Sequence, residues 1–534
     1  MVKRQAILGV VLATLAIVGA VFYWYQDQPD SPTRPAGLAP APRSLLSQAE
    51  TLEIRGYLDA EMIADDFQRC VAYPSPAGSS WDAKVVDAVC QLWQRKMISY
   101  DEIRAAIEQH HAEVLQTTFD SYVERNYQPR QHGFLVWSFQ WMFANWSKEE
   151  GDLLDKWIAD DSRSAYARAA RGLHYVEVAF HERGSGYARN TSKEQFVRMR
   201  EFAAKARTDL ELAARLNPRL IAVHHGLLRV ARLLSDDELF DSTRKAALAL
   251  DPADQSIYED LMDSLQPKWG GSLEQMHSVA AMASAQVDKN PLLALTAARI
   301  PCDQAERLVC SDCGGPETQK QRLRQALDLY SAATRDGPAE CALTYAPSSA
   351  ERVGDDIALV RYYSQGFRFF GANRRVIDRA LVLQRLGKAE WALEGLDRII
   401  KSYPRAYNAY IYRGYVLLAE HRGPQAQEAF ANAYAIDPSN WDATRNLVAV
   451  YDTVVNEPAK AREIVDRMMA ATPRNPRVWL LEASLHHGGE EAKCRDALKK
   501  YLESVDPKTA DATDKLEIER ATKRVAELDK KLGT

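Results

Sequence analysis

Apolar and polar positions divide the chain into three stretches. Residues 6–25 (AILGVVLATLAIVGAVFYWY) carry no charge. A helix rising about 1.5 Å per residue covers roughly 30 Å in that length, the thickness of a bilayer core. Residues 26–43 hold five prolines and almost no large apolar residue, which predicts a semi-extended spacer. From residue 44 onward apolar residues recur at helical spacing, plainly so at 196–216, 322–334 and 515–532. Gly or Pro falls between these runs, and few stretches alternate as strands do. The pattern predicts an all-α body of short antiparallel helices.

The anchor reading has directional content. Lys3 and Arg4 precede the apolar run, Asp27 and Asp30 follow it, and Tyr23, Trp24 and Tyr25 mark its outer end. Basic residues stay cytoplasmic and aromatic residues favour the interface, so the span from Ala6 to Tyr25 places the body outside the cytoplasm. The alternative is a cleaved signal peptide with Val18-Gly19-Ala20 as its site.

An internal period separates a solenoid from a simple bundle. Asn217-Pro218 and Asp251-Pro252 lie 34 residues apart, as do Pro404 and Pro438. Asn290-Pro291, Asn475-Pro476 and Asp506-Pro507 repeat the ending. In residues 373–440, Gly414, Ala426, Phe430 and Ala433 precede Pro438. Ala380, Leu383, Gly387, Ala392, Leu396 and Ile399 precede Pro404 in the same scheme. These residues resemble two consecutive tetratricopeptide repeats; Arg379 and Arg413 depart from the pattern, standing where Leu is usual. Residues 441–507 continue more loosely through Ala461, Trp479 and Ala483. The middle of the chain is similar to a bacterial domain of unknown function, through Ala169-Ala170-Arg171-Gly172 with Tyr175, Arg183-Gly184 and the run Pro267-Lys268-Trp269-Gly270-Gly271-Ser272.

The fold expected is therefore all-α: one N-terminal transmembrane helix followed by an α-solenoid of antiparallel, tetratricopeptide-like helix pairs. Its expected parts are a stub and anchor (1–25), a linker (26–43), an N-terminal helical region (44–160) and a repeat-like domain (161–300). An irregular cysteine-bearing connector (301–350), tetratricopeptide-like repeats (351–507) and a capping helix (508–534) complete it.

Composition narrows the function. Among 534 residues, 68 basic and 73 acidic residues leave a net charge of −5, and 46% are hydrophobic. That balance supports a large core and argues against nucleic acid as a partner. No GxSxG, phosphate loop or dinucleotide fingerprint occurs. The histidine doublets 110–111, 224–225 and 486–487 point about 100° apart on a helix and do not form one ligand face. Acidic pairs such as Asp160-Asp161 and Asp236-Asp237 are expected at helix starts, where they favour the dipole.

Seven cysteines are present. Cys302, Cys310, Cys313 and Cys341 cluster in the irregular stretch, and Cys70 and Cys90 flank a turn. In an oxidising compartment disulfides are the simplest use, with the pairing open; metal binding and redox chemistry are the competing readings of the C-x-x-C at 310–313. The aromatic residues Phe134, Trp137, Trp141 and Trp146 either pack a core or line a groove.

The functional expectation is a non-enzymatic, membrane-anchored scaffold at a bacterial inner membrane, with its body in the periplasm and no cofactor or metal. It would bind a protein or peptide partner on the array. A cell-envelope enzyme framed by the array is the alternative. The tetratricopeptide resemblance implies that first helices carry the partner face, which here holds Arg374, Gln384, Asn408 and Tyr415.

Overall fold

The computed structural model describes residues 46–92, 95–184, 188–309, 316–371, 373–472, 475–487, 489–507 and 512–533. The anchor segment from Ala6 to Tyr25, the linker at 26–43, Cys310 and Cys313 lie outside these residues. The described residues contain helices and no strand, and none of the helices is long and apolar enough to cross a membrane.

The turns show why the repeat forms. After helix Lys193–Leu216, the Asn217 side chain accepts the amide of Arg219 at 3.0 Å. Asp251 accepts from Ala253 at 3.0 Å, Asp437 from Ser439 at 3.1 Å and Asn475 from Arg477 at 3.1 Å. The backbone amides of Asn217, Asp251 and Asp437 still close the preceding helix, donating to the carbonyls of Ala213, Ala247 and Ala433. The following Pro cannot extend the helix, so the Asx turn reverses the chain. The next helix starts on its own cap, such as Asp254 before Gln255–Ser264 or Asn440 before Trp441–Ala449.

The described residues divide into two compact units, one within 53–371 and one formed by 46–52 with those from 373 onward. In the larger unit helix Ala165–Arg183 packs along Lys193–Leu216. A Cβ at Gly172 would stand 2.6 Å from the Leu210 side chain, so only glycine admits this approach. Ala206, Leu210 and Ala213 are fully buried, as their spacing requires. In the C-terminal unit Phe430 occupies the same kind of gap, with a Cβ at Gly414 falling 2.5 Å from its ring. Ala392, Leu396 and Ile399 and then Ala426, Phe430 and Ala433 are all buried. Arg379 takes a leucine position and is 1% exposed. Arg413 reaches outward to Asp397 at 2.7 Å.

Several expectations need correction. The stretch 301–350 is not an irregular connector: helices Arg299–Leu308, Pro316–Ala333 and Glu340–Val353 continue the packing. Leu323, Ala326, Tyr330 and Ala333 form a helical stripe buried in it. Disulfides were the expected use of the cysteines with the pairing open: Cys302 pairs with Cys341, joining the first and third of these helices, and Cys70 pairs with Cys90. The helix Asp356–Phe370 belongs to the larger unit, so the C-terminal block begins at Asn373 rather than at 351. Asp160-Asp161 ends helix Lys148–Asp160 instead of starting one, and His110 meets Asp160 at 2.7 Å. Asp236 does cap Asp237–Leu250. On the final helix Ala512–Leu532, Ala521 and Leu528 are buried and Leu532 is exposed, so the apolar spacing seen at 515–532 reaches the core only in part.

Candidate partner-binding surface

The first helices of the C-terminal unit, Asn373–Arg385, Tyr407–Ala419 and Trp441–Ala449, each carry polar side chains at matching positions. Offsets of 34 residues relate Arg374, Asn408 and Asp442, and likewise Asp378, Tyr412 and Asn446. Arg374 forms an ion pair with Asp378 at 2.7 Å, and its guanidinium donates to the Tyr412 hydroxyl at 3.3 Å. Gln384 donates to Glu420 at 3.1 Å. Asn446 donates to the Tyr415 hydroxyl at 2.8 Å, and Arg445 pairs with Asp442 at 3.3 Å. Asn408 is half-buried. The result is a polar ladder that crosses from one repeat to the next.

Two properties of the ladder matter. Its groups are oriented by neighbours before any partner arrives, which reduces the entropy lost on binding. Some of them are also part-exposed: Arg374 retains 34% and Asp442 28% of side-chain exposure, whereas Tyr412 and Asn446 are buried. Burial raises the Asp378 carboxyl above the usual carboxylate range, against the opposing pull of Arg374 and Arg375. Burial likewise pushes the Tyr415 phenol up to about 12, so it remains a neutral donor and acceptor.

Arg374, Gln384, Asn408 and Tyr415 lie on the first helices, and Arg374, Gln384 and Tyr415 are each joined to a neighbouring helix. Asp378, Tyr412, Asp442, Arg445 and Asn446 were not anticipated, although projecting the 34-residue period from Arg374 and Asp378 reaches most of them. The N-terminal aromatic residues are not brought into one surface. Phe134 is fully buried, while Trp137 is half-buried and Trp141 is 59% exposed, stacked on each other at 6.0 Å. Trp146 stacks on His181 at 3.8 Å. Helix Phe134–Phe143 buries its opposite side through Leu135, Phe139 and Met142.

Among the described residues no group of three or more His, Cys, Asp or Glu is placed to hold a metal ion. Histidines make pairwise contacts: His225 with Asp260 at 2.6 Å, His486 with Glu482 and Glu490 at 2.8 Å, and His174 with the Asn145 carbonyl at 2.5 Å.

A stacked array of helix pairs with a polar ladder across its first helices defines a helical-repeat protein. Residues 417–485 match the family model described as tetratricopeptide repeat, so the C-terminal region resembles tetratricopeptide-repeat proteins. Comparison with curated proteins returned no match. Among solved structures, a tetratricopeptide repeat protein from Parabacteroides merdae is 14% identical, with a TM-score of 0.31, covering 51% of this chain and 98% of its own. Yeast Tom70 is 13% identical with a TM-score of 0.30, covering 64% of this chain and 87% of its own. The APC/C hetero-tetramer Cut9-Hcn1 is 12% identical with a TM-score of 0.26, covering 82% and 96%.

Proposed function

We propose that this protein is a membrane-tethered scaffold whose C-terminal repeats bind an extended segment or helix of a partner protein. The observation that carries the reading is the pre-oriented polar ladder on consecutive first helices, in which Arg374, Gln384, Asn408 and Asp442 are part-exposed and are braced by the buried Tyr412 and Asn446. Its guanidinium and carboxylate groups suit a partner's backbone and charged side chains, and Tyr415 supplies apolar area. Stacked repeats present such faces because each pair buries its apolar side only against its neighbours.

The tether is the uncharged run from Ala6 to Tyr25, with Lys3 and Arg4 holding the N-terminus in the cytoplasm of a bacterial cell. The two disulfides of the body fit an oxidising, periplasmic setting.

The test is affinity capture of envelope proteins on the full-length chain in detergent, comparing the natural sequence with the double variant Arg374→Ala/Asn408→Ala. Loss of a specific partner from the variant is the expected result. Equal recovery of every partner by both would remove this surface from consideration.

A further inference from the structure

Within the larger unit a cavity of about 260 Å³ opens between helix Pro316–Ala333, helix Asp356–Phe370 and the loop 74–82. Its walls are tied together by contacts between segments far apart in sequence. The Ser80 amide donates to the Arg335 carbonyl at 2.9 Å, and the Trp81 indole donates to the Thr334 carbonyl at 2.6 Å. Gln365 donates to the Pro74 carbonyl at 2.8 Å, and the Ala77 amide donates to Glu53 at 3.1 Å. Glu53 in turn holds Arg361, a wall residue, at 2.8 Å. The Cys70–Cys90 disulfide secures the helices on either side of the loop. The cavity is thus formed before any ligand enters.

Its lining is mixed. Trp81, Leu327 and Leu343 are apolar; Ser331, Thr334 and Tyr362 supply hydroxyls. The lining also includes two exposed groups of opposite charge, Asp328 and Arg335, whose side chains make no ion pair or hydrogen bond among the described residues. They are seven residues apart along one helix and the turn that ends it, which places them roughly 10 Å apart. An extended peptide advances about 3.3 Å per residue, so about three residues bridge that distance. The volume lies just below the range of ordinary small-molecule pockets and suits so small an occupant.

We infer that this cavity binds a short zwitterionic peptide, its amino group at Asp328, its carboxylate at Arg335 and a side chain against Trp81 and Leu327. The two ends are recognised by charge-assisted hydrogen bonds, and the middle by apolar contact. The site lies wholly within residues 53–371, and its test is independent of the partner face on the C-terminal repeats.

The experiment is titration calorimetry of the full-length chain with Gly-Leu-Gly, with its N-acetyl form and with its C-terminal amide. All three are repeated on Asp328→Ala and Arg335→Ala, which alter exposed side chains. The expected result is saturable binding of the free tripeptide, weakened about tenfold or more by either substitution. Acetylation of the amine should weaken binding to the natural sequence and leave binding to Asp328→Ala unchanged. Equal binding of free and blocked peptides, indifference to both substitutions, or no saturation up to about 1 mM overturns the inference.

Discussion

Asp254 shows how much one buried residue depends on its surroundings. It caps helix Gln255–Ser264 by accepting the amides of Ser256 and Ile257, and it is fully buried. Burial, reinforced by the nearby Asp251 carboxylate, raises its pKa to about 7, while His132 pulls the other way. An aspartate in the unfolded chain titrates near 4, so between about pH 4 and pH 7 only the folded state holds the proton. This group's contribution to stability is therefore greatest near pH 4 and falls as pH rises to about 7. Asp254→Asn keeps the cap acceptor and removes the titration. Its melting temperature should decline less across that window than the natural protein's; parallel declines would refute the assignment. Gly414 tests packing at the same scale. Alanine should gain about 1 kcal/mol in helix propensity. Overpacking against Phe430 costs about 1–3 kcal/mol, so Gly414→Ala should be neutral to destabilising in denaturant melts, and clear stabilisation would contradict the close approach.

At the scale of elements the repeat was legible because it rests on local chemistry. Asx residues before proline accept an amide two residues on, and that geometry needs no tertiary partner. The burial of Ala426, Phe430 and Ala433 follows from helical spacing alone. The acid pair at 160–161 was misplaced because carboxylates also close a helix when a distant group meets them, here His110 from fifty residues earlier. The stretch 301–350 looked irregular because of its cysteines and glycines, yet Cys302 and Cys341 join two helices. Closing loops of 20 and 39 residues stabilises the native state by about 3–4 kcal/mol per disulfide in the chain-entropy model. Reduction should lower the melting temperature markedly. Under native, non-reducing conditions alkylation should spare Cys70, Cys90, Cys302 and Cys341, and labelling of any of the four would count against the pairing.

For the whole molecule the prediction concerns location. Deleting residues 6–25 should move the protein from a carbonate-washed membrane pellet into the soluble fraction. Persistence in the pellet would mean that another part of the chain holds the membrane. The site, by contrast, was only half legible at this scale. Arg374, Gln384 and Tyr415 lie on first helices as the repeat implies, but each is joined to a neighbouring helix. The stripe of Phe134, Trp137 and Trp141 divides between core and surface, because the burial of Leu135, Phe139 and Met142 sets the helix's rotation.

What the sequence alone determined is the helical period, the 34-residue repeat, the small residues that permit close crossing and the turns that reverse the chain. All of these depend on interactions within a few residues or on a spacing repeated along the chain. Only the tertiary structure decided which cysteines meet, where the C-terminal block begins, which polar groups join consecutive repeats and that loop 74–82 walls a cavity with helices some 250 residues away. Those outcomes turn on which surfaces are brought together and desolvated. Composition constrains such choices, but the packing of distant segments makes them.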